Sequence, residues 1–394
     1  MELYFHIPFC VRKCLYCDFL SAPADEETKQ NYMEALLVET AGSAPSYAHY
    51  TVTTVFIGGG TPSVVPTVYI ERLMAAVRKH FRLAWDAEVT IEVNPGTASM
   101  EKLSRYRAAG INRLSIGLQS ADNLELVSIG RIHTWEQFLD TFAAARKAGF
   151  CNINVDIMSA LPGQSFSKYR NTLEKLCSLE QPPEHISAYS LILEEGTPFY
   201  DMYERGNLSI PDEEEDRLMY QETKRFLARK GYHRYEISNY AREGFECRHN
   251  SGYWRRENYA GFGIGAASLV ENTRFQNRAD LKAYLENPLG CRTEIRHLSR
   301  EEQMEEFVFL GLRMTAGIRC GEFERLFGCE ITEVYGDVIE KNIRDGLLAL
   351  YCAQAEKAQG EKTQREDKFV SGECIALTER GLDVSNYVMA QFLL

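Results

Sequence analysis

The sequence predicts an α/β fold built around a parallel sheet, followed by a smaller domain of a different character. Between residues 1 and 240, six short apolar runs alternate with stretches of amphipathic helical pattern. Strands that are separated by helical crossovers form right-handed βαβ units, and such units build parallel sheets. Six units could close most of a (β/α) barrel or form a doubly wound open sheet. In both architectures the active site lies at the carboxyl ends of the strands.

The composition is that of an ordinary globular protein. Of the 394 residues, 45% are hydrophobic and 25% are charged, which is not typical of a disordered chain. The 44 basic and 56 acidic residues give a formal charge of −12, so a broad basic face for nucleic acid is not expected. No apolar run approaches the roughly 20 residues of a membrane span, and the beginning, MELYFHIPFC, does not resemble a secretory signal. We therefore expect a cytoplasmic protein.

The six predicted strands are short and mainly apolar, as is typical of parallel strands that are buried on both faces. They are Leu3–Ile7, Val52–Ile57, Glu88–Val93, Arg113–Leu118, Asn152–Met158 and His185–Leu191.

For two of the intervening helices, the sequence contains signals that mark where the helix begins and ends. Thr134 and Gln137 form a capping box at the start of a helix that is predicted over Trp135–Ala148. A second helix, predicted over Glu213–Lys230, begins in the acidic run DEEED at 212–216 and ends in basic residues. Charges in this order match the helix dipole. We expect the acidic run to be a solvated helix start.

The pattern changes after residue 240, which predicts three units: a barrel over 1–240, a connecting segment over 241–298 and a carboxyl-terminal domain over 299–394. The last unit is largely helical, has β-like pieces near Leu348–Cys352 and Lys368–Val370, and ends like a winged helix. Between these pieces, Ala355–Asp367 is rich in charged residues and is expected to be an exposed hairpin loop. A winged helix can bind DNA, but the acidic balance and the absence of a basic helix argue against that role.

Three cysteines follow the first strand in the pattern C-x3-C-x2-C, at Cys10, Cys14 and Cys17. Three thiolates are one ligand short of a closed zinc site. Soft thiolates favour iron–sulfur clusters, which usually take four protein ligands, so three would leave one iron open. A zinc site completed by Cys247 or His249 is the alternative, as are three unligated core cysteines.

The segment YFHIPFCVRKCLYCDF at 4–19 resembles the signature of radical S-adenosylmethionine (SAM) enzymes, in the family of the oxygen-independent coproporphyrinogen III oxidases. The match continues in GGGTPS at 58–63, IEVNP at 91–95, SIGLQS at 115–120, NVDIMSALPGQ at 154–164 and GFGIGAAS at 261–268. The resemblance implies a partial (β/α)6 barrel with a [4Fe–4S] cluster on the three cysteines. The open iron would bind SAM, and one-electron reduction would cleave SAM to a 5′-deoxyadenosyl radical.

The resemblance also implies a SAM pocket at the carboxyl ends of the strands. Glycines after a strand let bare backbone approach a ligand, and carboxylates at strand ends can hold a ribose or an amine. The residues that this assigns to the pocket are Tyr4, Tyr16, Gly59, Gly60, Thr61, Glu92, Gln119, Arg131 and Asp156, with Ser190 and Ala267 matching more loosely. His6, beside the cysteines, is expected to order their loop.

Two sub-branches of the family differ in function. The oxidases show a further cysteine two residues after the third, where this chain has Phe19, and they carry an amino-terminal extension before the first strand. The haem-chaperone sub-branch, HemW, shows phenylalanine there and an H-N-x-x-Y-W motif, which matches His249–Trp254. The segment FLGLRMTAGI at 309–318 also resembles this sub-branch. The resemblance implies that His249, or else Cys247, ligates haem iron while aromatic side chains flank the macrocycle.

The sequence therefore predicts a haem chaperone that binds a [4Fe–4S] cluster, SAM and haem, and that delivers haem to acceptor haemoproteins. No residue is assigned a catalytic role, and SAM cleavage is left open. Oxidative decarboxylation of coproporphyrinogen III is the alternative activity, and a zinc-stabilised nucleic-acid-binding protein is a second alternative. Nucleic acid is not an expected partner, whereas a peripheral membrane contact is compatible with the sequence.

Overall fold

The computed structural model of the chain describes residues 1–352 and 373–393. Its main sheet has twelve strands in the order β12-β11-β10-β9-β1-β2-β3-β4-β5-β6-β8-β7. A second sheet of three strands has the order β13-β15-β14. The fifteen strands are β1 Glu2–Ile7, β2 Thr51–Gly59, β3 Arg82–Val93, β4 Arg113–Gln119, β5 Ile153–Ser159, β6 His185–Ser190, β7 His233–Arg234, β8 Asn239–Ala241, β9 Tyr259–Phe262, β10 Ala267–Val270, β11 Thr273–Asn277, β12 Arg292–His297, β13 Ile318–Arg319, β14 Leu348–Cys352 and β15 Glu373–Leu377.

Helices connect most of the parallel strands and build the carboxyl-terminal unit. The α-helices of the described residues are α1 Glu26–Ser43, α2 Thr67–His80, α3 Met100–Ala108, α4 Asn123–Ser128, α5 Trp135–Lys147, α6 Phe166–Cys177, α7 Pro198–Glu204, α8 Glu213–Arg229, α9 Arg248–Trp254, α10 Leu281–Glu286, α11 Arg300–Gly311, α12 Cys320–Phe327, α13 Ile331–Arg344, α14 Glu379–Asp383 and α15 Ser385–Ala390. Short 3₁₀ turns lie at Ala44–Tyr47, Pro62–Val64 and Pro288–Gly290.

All six predicted strands are confirmed, as β1 to β6. They pair in parallel in sequence order, which is the arrangement that helical crossovers produce. The largest difference is in β3, which begins at Arg82 and pairs its first residues with the start of β2. The sheet does not close on itself, because its order runs from the edge strand β12 to the edge strand β7. Strands β1 to β6 also lie side by side in sequence order, without the reversal of order that marks a doubly wound sheet, so the main prediction, a partial barrel, is confirmed.

The sheet continues beyond the six predicted strands. β9 pairs in parallel with β1, and β10, β11 and β12 follow as antiparallel neighbours. The sequence of this region did not indicate strands, because the strands are short and mix polar with apolar residues. Four strands of the predicted connecting segment thus belong to the same sheet as the barrel, and the domain division at 240 and 298 stays a prediction.

A buried carboxylate joins this region to the first helix. Glu39 on α1 accepts hydrogen bonds from the Gly263 amide at 2.8 Å, from Asn277 Nδ2 at 2.6 Å and from the Tyr284 hydroxyl at 2.6 Å. The residue is 3% exposed. A buried carboxylate is stable only when its oxygens are hydrogen-bonded, so these three donors fix the strand extension against α1.

The two helices whose ends the sequence predicted form as α5 and α8, with one correction to the environment of the start of α8. α5 begins with the predicted capping box of Thr134 and Gln137. The acidic start of α8 is not simply solvated. Glu215 Oε1 accepts from the Phe166 amide at 2.9 Å, and Asp216 Oδ1 accepts from the Ser190 hydroxyl at 2.7 Å. The start of α6 and the end of β6 thus donate hydrogen bonds to these carboxylates, which the charge pattern alone could not indicate.

The carboxyl-terminal unit has its own apolar core. Helix α11 leads through β13 to α12 and α13, and β14 and β15 then pair as an antiparallel hairpin beside β13. This order of elements is that of a winged helix, as the sequence predicted. Glu306 on α11 binds Arg256 at 2.8 Å and Arg274 at 2.7 Å, which ties the unit to the barrel. The predicted loop Ala355–Asp367 and the β-like piece Lys368–Val370 lie outside the described residues.

Within residues 1–352 and 373–393, no helix combines the length and the apolar composition that are needed to cross a bilayer.

Candidate cofactor site at the mouth of the barrel

A cavity of about 310 Å³ opens at the carboxyl ends of the parallel strands. A cavity of this size suits a small molecule. It brings together twelve of the residues that the sequence assigned to the cluster and to the SAM pocket: Cys10, Cys14, Cys17, Tyr16, Gly59, Gly60, Thr61, Glu92, Gln119, Arg131, Asp156 and Ser190. The place of this cavity is the one that a parallel sheet predicts.

The three cysteines lie on one loop that packs against the barrel rim. All three are half-buried and free of disulfides. The loop is held at its centre, where the Leu15 amide donates to the Ile129 carbonyl at 3.1 Å. It is also held at its end, where His6 Nε2 lies 2.8 Å from the Leu20 carbonyl. The prediction that His6 orders this loop is therefore confirmed.

The donor set fits an iron–sulfur cluster better than a single ion. No group of three His, Cys, Asp or Glu side chains in the described parts of the chain is arranged around one metal ion. A single zinc ion needs all of its ligands within about 2.0–2.3 Å of one point, whereas a four-iron cluster takes each thiolate on a different iron and so accepts a wider spacing. Cys247 and His249, the proposed completing ligands, do not line this cavity. The geometry therefore does not support the zinc alternative.

A chain of polar contacts connects the cysteine loop to the ends of β2 and β3 and to the turn after α4. Cys10 Sγ lies 3.4 Å from Thr61 Oγ1, which accepts from Asn94 Nδ2 at 2.8 Å. Asn94 Oδ1 in turn accepts from Arg131 Nη1 at 2.8 Å. Burial opposes the charge on Arg131, but Tyr16 and Cys14 lie close enough to raise its pKa. Arg131 therefore stays cationic beside the cysteine loop.

Two half-buried carboxyl groups, those of Glu92 and Asp156, line the cavity. Burial, with the nearby charge of Asp156, raises the pKa of Glu92 to about 8, and the Gly59 amide donates to Glu92 Oε2 at 3.0 Å. Burial also raises the pKa of Asp156, although Asn154 Nδ2 donates to it at 2.7 Å. Such carboxyls favour a cationic ligand, since its charge would offset the cost of ionising them. SAM carries a sulfonium and an amino group, so these residues fit it.

Glycines give the cavity its shape. A Cβ on Gly60 would lie 2.7 Å from the Phe9 carbonyl oxygen and 3.0 Å from Cys10 Sγ. At Gly59, which has φ +113°, a Cβ would lie 2.6 Å from His6 Nδ1. The strand end can therefore touch the cysteine loop only where side chains are absent.

Sequence reasoning missed some residues of the cavity. Asn94 lies within the IEVNP segment but was not singled out, although it links Thr61 to Arg131. Tyr189 donates its hydroxyl to Gln119 Oε1 at 3.1 Å, and no local pattern indicates it. Gln119 itself has φ +72°, a left-handed backbone that is rare for a residue with a side chain and that often marks a binding site.

Three predicted site residues lie elsewhere. Tyr4 is on the same face of β1 as His6 but two residues nearer the amino end, so its ring lies deeper in the barrel. Together with His249 it lines a second cavity of about 220 Å³. This second cavity shares Glu92 and Asp156 with the first cavity at the mouth of the barrel, which is called the upper cavity below. Ala267 is exposed at the start of β10 and lines neither cavity. The site roles of Tyr4 and Ala267 therefore stay predictions.

His249 forms part of the barrel floor. The residue is 1% exposed, and its ring stacks on Phe56 with centroids 5.0 Å apart. Nδ1 lies 2.7 Å from Thr54 Oγ1, and Nε2 lies 3.0 Å from the Tyr253 hydroxyl. Ligation of an iron by either nitrogen would break one of these bonds. The role of haem ligand stays a prediction that this geometry does not favour.

His249 and Glu2 form a neutral pair. Nδ1 of His249 lies 3.8 Å from Glu2 Oε2, a distance at which an ion pair could form. Burial, however, lowers the pKa of His249 to about 3. Burial, reinforced by Glu257, raises the pKa of Glu2 to about 9. At neutral pH both groups are therefore uncharged, and the floor of the barrel holds a protonated carboxyl.

We expect the free energy of unfolding to fall less between pH 7 and pH 9 when Glu2 is replaced by glutamine. The folded state keeps the proton of Glu2 up to about pH 9, whereas the unfolded chain releases it near 4.5. The free energy of unfolding therefore falls as pH rises through this window, by at most about 1.4 kcal/mol per pH unit for this group. Urea unfolding at pH 7 and pH 9 measures the change. Glu195→Gln, at an exposed position, is the control, and equal slopes in wild type and Glu2→Gln would contradict the assignment.

Two family models match the chain. The radical SAM superfamily model matches residues 4–176, which include the cysteine loop and strands β1 to β5. The HemN carboxyl-terminal domain model matches residues 298–351, which run from α11 to β14. The first match implies a [4Fe–4S] cluster and SAM, and the residues of the upper cavity fit both.

Similar proteins cover nearly the whole chain. Heme chaperone HemW of Lactococcus lactis is 36% identical over 99% of this chain and 97% of its own length. Heme chaperone HemW of Bacillus subtilis is 35% identical over 91% of this chain and 97% of its own length. The solved structure of coproporphyrinogen III oxidase (HemN) from Escherichia coli has a TM-score of 0.82, with 23% identity over 100% of this chain and 89% of that one. The last match shows that the fold is that of a radical SAM enzyme.

Proposed function

Because this chain belongs to the HemW family of radical SAM proteins, we propose that it is a haem chaperone, which binds haem and delivers it to acceptor haemoproteins. One observation carries the proposal. The full-length similarity to relatives named heme chaperones coincides with a cavity where three free cysteines meet the predicted SAM-pocket residues. The proposed acceptors are haemoproteins in general, and the proposed location is the cytoplasm.

The residues of the upper cavity would hold the two cofactors. Cys10, Cys14 and Cys17 would ligate the cluster, and Glu92 and Asp156 would face the cationic groups of SAM. When bound and reduced, such a cluster would supply an electron to SAM. Arg131 keeps a positive charge beside the cysteine loop, and through Asn94 and Thr61 it holds Cys10 at the cavity wall.

Porphyrinogen decarboxylation is the less favoured alternative. The oxidase resembles this chain in fold but is only 23% identical. Where the oxidase pattern has a further cysteine, Phe19 lies at the rim of the cavity and is 61% exposed. An exposed aromatic ring adds apolar contact area at the mouth but no thiolate.

We expect one reconstituted sample to separate the two functions. Under anaerobic conditions, the cluster-loaded protein should bind haem and transfer it to a haem-free acceptor haemoprotein. With coproporphyrinogen III, SAM and a reductant, the same sample should give no protoporphyrinogen. Absorbance in the Soret region follows transfer, and chromatography of the oxidised porphyrins follows turnover. A sample that forms protoporphyrinogen and transfers no haem would refute the proposal. The matched control is the same protein without bound haem in the transfer assay.

A further inference from the structure

The second cavity, in the interior of the barrel, contains a buried cation that has no partner among the described residues. Arg113, the first residue of β4, lines this cavity and is 2% exposed. Its Nε has no hydrogen-bond partner, and its guanidinium forms no ion pair with any described residue. The half-buried Arg146, in contrast, binds Glu184 at 2.9 Å. A buried charge without a partner is costly, so Arg113 indicates a ligand.

Acidic groups nearby keep Arg113 charged. Burial opposes its charge, but Cys247 and Glu88 lie close enough to raise its pKa. The carboxylate of Glu88 is already used, because it accepts from the backbone amides of Arg248 at 3.1 Å and His249 at 3.2 Å. These groups therefore act on Arg113 from a distance, and its guanidinium keeps its donors for a ligand.

Asn154 is at the centre of a hydrogen-bonded group in the wall of the same cavity. Its Nδ2 donates to Ser115 Oγ at 2.8 Å and to Asp156 Oδ1 at 2.7 Å. Its Oδ1 lies 2.6 Å from His185 Nδ1. Ser115 accepts in this group, so its hydroxyl proton remains available to a ligand. Among these residues, the donors left unused are therefore those of Arg113 and Ser115.

Arg113 lies at the opposite end of β4 from the mouth of the barrel. Gln119, the last residue of β4, lines the upper cavity, and six residues of strand span about 20 Å. SAM on the open iron of a cluster would lie at the mouth, so the anion for Arg113 is a separate molecule. Glu92, Ser115 and Asp156 line both cavities, which places that molecule next to SAM.

The walls of the second cavity favour a small planar carboxylate over a more highly charged anion. A guanidinium is planar and binds a carboxylate through two parallel hydrogen bonds. Glu88 and Asp156 in the same interior would repel a doubly charged phosphate more strongly than a carboxylate. The rings of Tyr4 and Phe56 stack with centroids 6.3 Å apart on one wall. The volume of about 220 Å³ equals that of about seven waters at about 30 Å³ each, which is enough for one ring with a carboxylate.

We propose that the second cavity binds a small planar molecule through its carboxylate, and that Arg113 is the residue that recognises it. The guanidinium would bind the carboxylate through two parallel hydrogen bonds, and Ser115 would donate a third. The rings of Tyr4 and Phe56 would contact the rest of the molecule. The haem chaperone function proposed above does not depend on this site.

Benzoate and benzamide are the matched probes for this site, because they differ only in a carboxylate against a neutral amide. We expect the full wild-type chain to bind benzoate at least about tenfold more tightly than benzamide, as a charge-assisted hydrogen bond to a buried guanidinium implies. Arg113→Met should abolish this preference. The control Arg225→Met removes the same charge at an exposed position outside both cavities and should retain it. Isothermal titration calorimetry gives each affinity.

Thermal unfolding of the same variants provides a second measurement. Because the guanidinium of Arg113 has no partner in the ligand-free chain, Arg113→Met should unfold at the wild-type temperature or above it. Benzoate should raise the unfolding temperature of wild type but not that of Arg113→Met. A ligand-free variant that unfolds several degrees below wild type would show that Arg113 has a structural partner, and the proposal would be wrong.

The comparison of the two probes on wild type does not depend on the folding of any variant. Equal affinities for benzoate and benzamide, or no binding of either, would overturn the proposal. Tighter binding of inorganic phosphate than of benzoate would refute the carboxylate as the ligand class. A preference for benzoate that persists in Arg113→Met would place the carboxylate elsewhere, such as at Arg131 in the upper cavity. The haem transfer assay tests the chaperone function separately, so failure of one proposal is distinguishable from failure of the other.

Discussion

Replacement of Cys14 by alanine is expected to abolish the iron–sulfur cluster. Cys10, Cys14 and Cys17 line one cavity and are free thiols, and a cluster that already has only three protein ligands cannot lose another and remain stably bound. After anaerobic reconstitution, wild type should contain about four irons per chain and show the broad absorption of such a cluster. The variant should contain almost none. Iron analysis and the visible spectrum measure the change.

Cys151→Ala is the matched control for this experiment. Cys151 is also a free cysteine, but it is exposed and lies outside the cavity. Its removal should leave the iron content at the wild-type value. If Cys14→Ala kept a full complement of iron, the assignment of the cysteine loop as the cluster site would be wrong. Stoichiometric zinc in place of iron in the wild type would support the alternative of a structural zinc site.

Replacement of Gly60 by valine is expected to weaken SAM binding by about 30-fold or more. The new Cβ would lie 2.7 Å from the Phe9 carbonyl oxygen, a backbone atom, and 3.0 Å from Cys10 Sγ. Neither atom can yield without moving the loop that holds the cysteines. Overpacking of this kind costs about 1–3 kcal/mol, and each 1.4 kcal/mol is a tenfold change in affinity. Equilibrium dialysis of SAM against the reconstituted protein measures the effect.

A glycine in open space provides the comparison. A Cβ on Gly336, within α13, meets no atom within 4 Å, so Gly336→Val should leave SAM affinity unchanged. The iron content of both variants should be measured in parallel, since displacement of Cys10 would also loosen the cluster. Equal SAM affinity in Gly60→Val and wild type would contradict the close approach of this strand to the cysteine loop.

The parts of the fold that the sequence predicted are those with local causes. Six apolar runs gave six strands, because a strand that is buried on both faces needs a continuous apolar segment. The capping box at Thr134 gave the start of α5, because a cap depends on residues only three apart. The cysteine spacing likewise predicted one shared loop, since three cysteines within eight residues cannot lie far apart.

The strands beyond β8 show where local patterns fail. β9 has four residues, and its place beside β1 depends on parallel hydrogen bonds to a segment more than 250 residues earlier. Glu39 shows the same limit, because its three donors come from residues 263, 277 and 284. Neither the β9–β1 pairing nor the hydrogen bonds of Glu39 produce a periodic pattern or a motif in the sequence.

The site divides in the same way. The sequence alone determined the chemistry of the mouth of the barrel: three thiols on one loop, glycines at a strand end and carboxyls at two others. Only the tertiary structure decided where the His249–Trp254 motif lies. It places His249 in the barrel floor with both ring nitrogens bonded, and it places Trp254 beside the 309–318 segment in a different cavity. The physical reason is that burial and contact depend on residues distant in the chain, whereas residue type and spacing are properties of the chain itself.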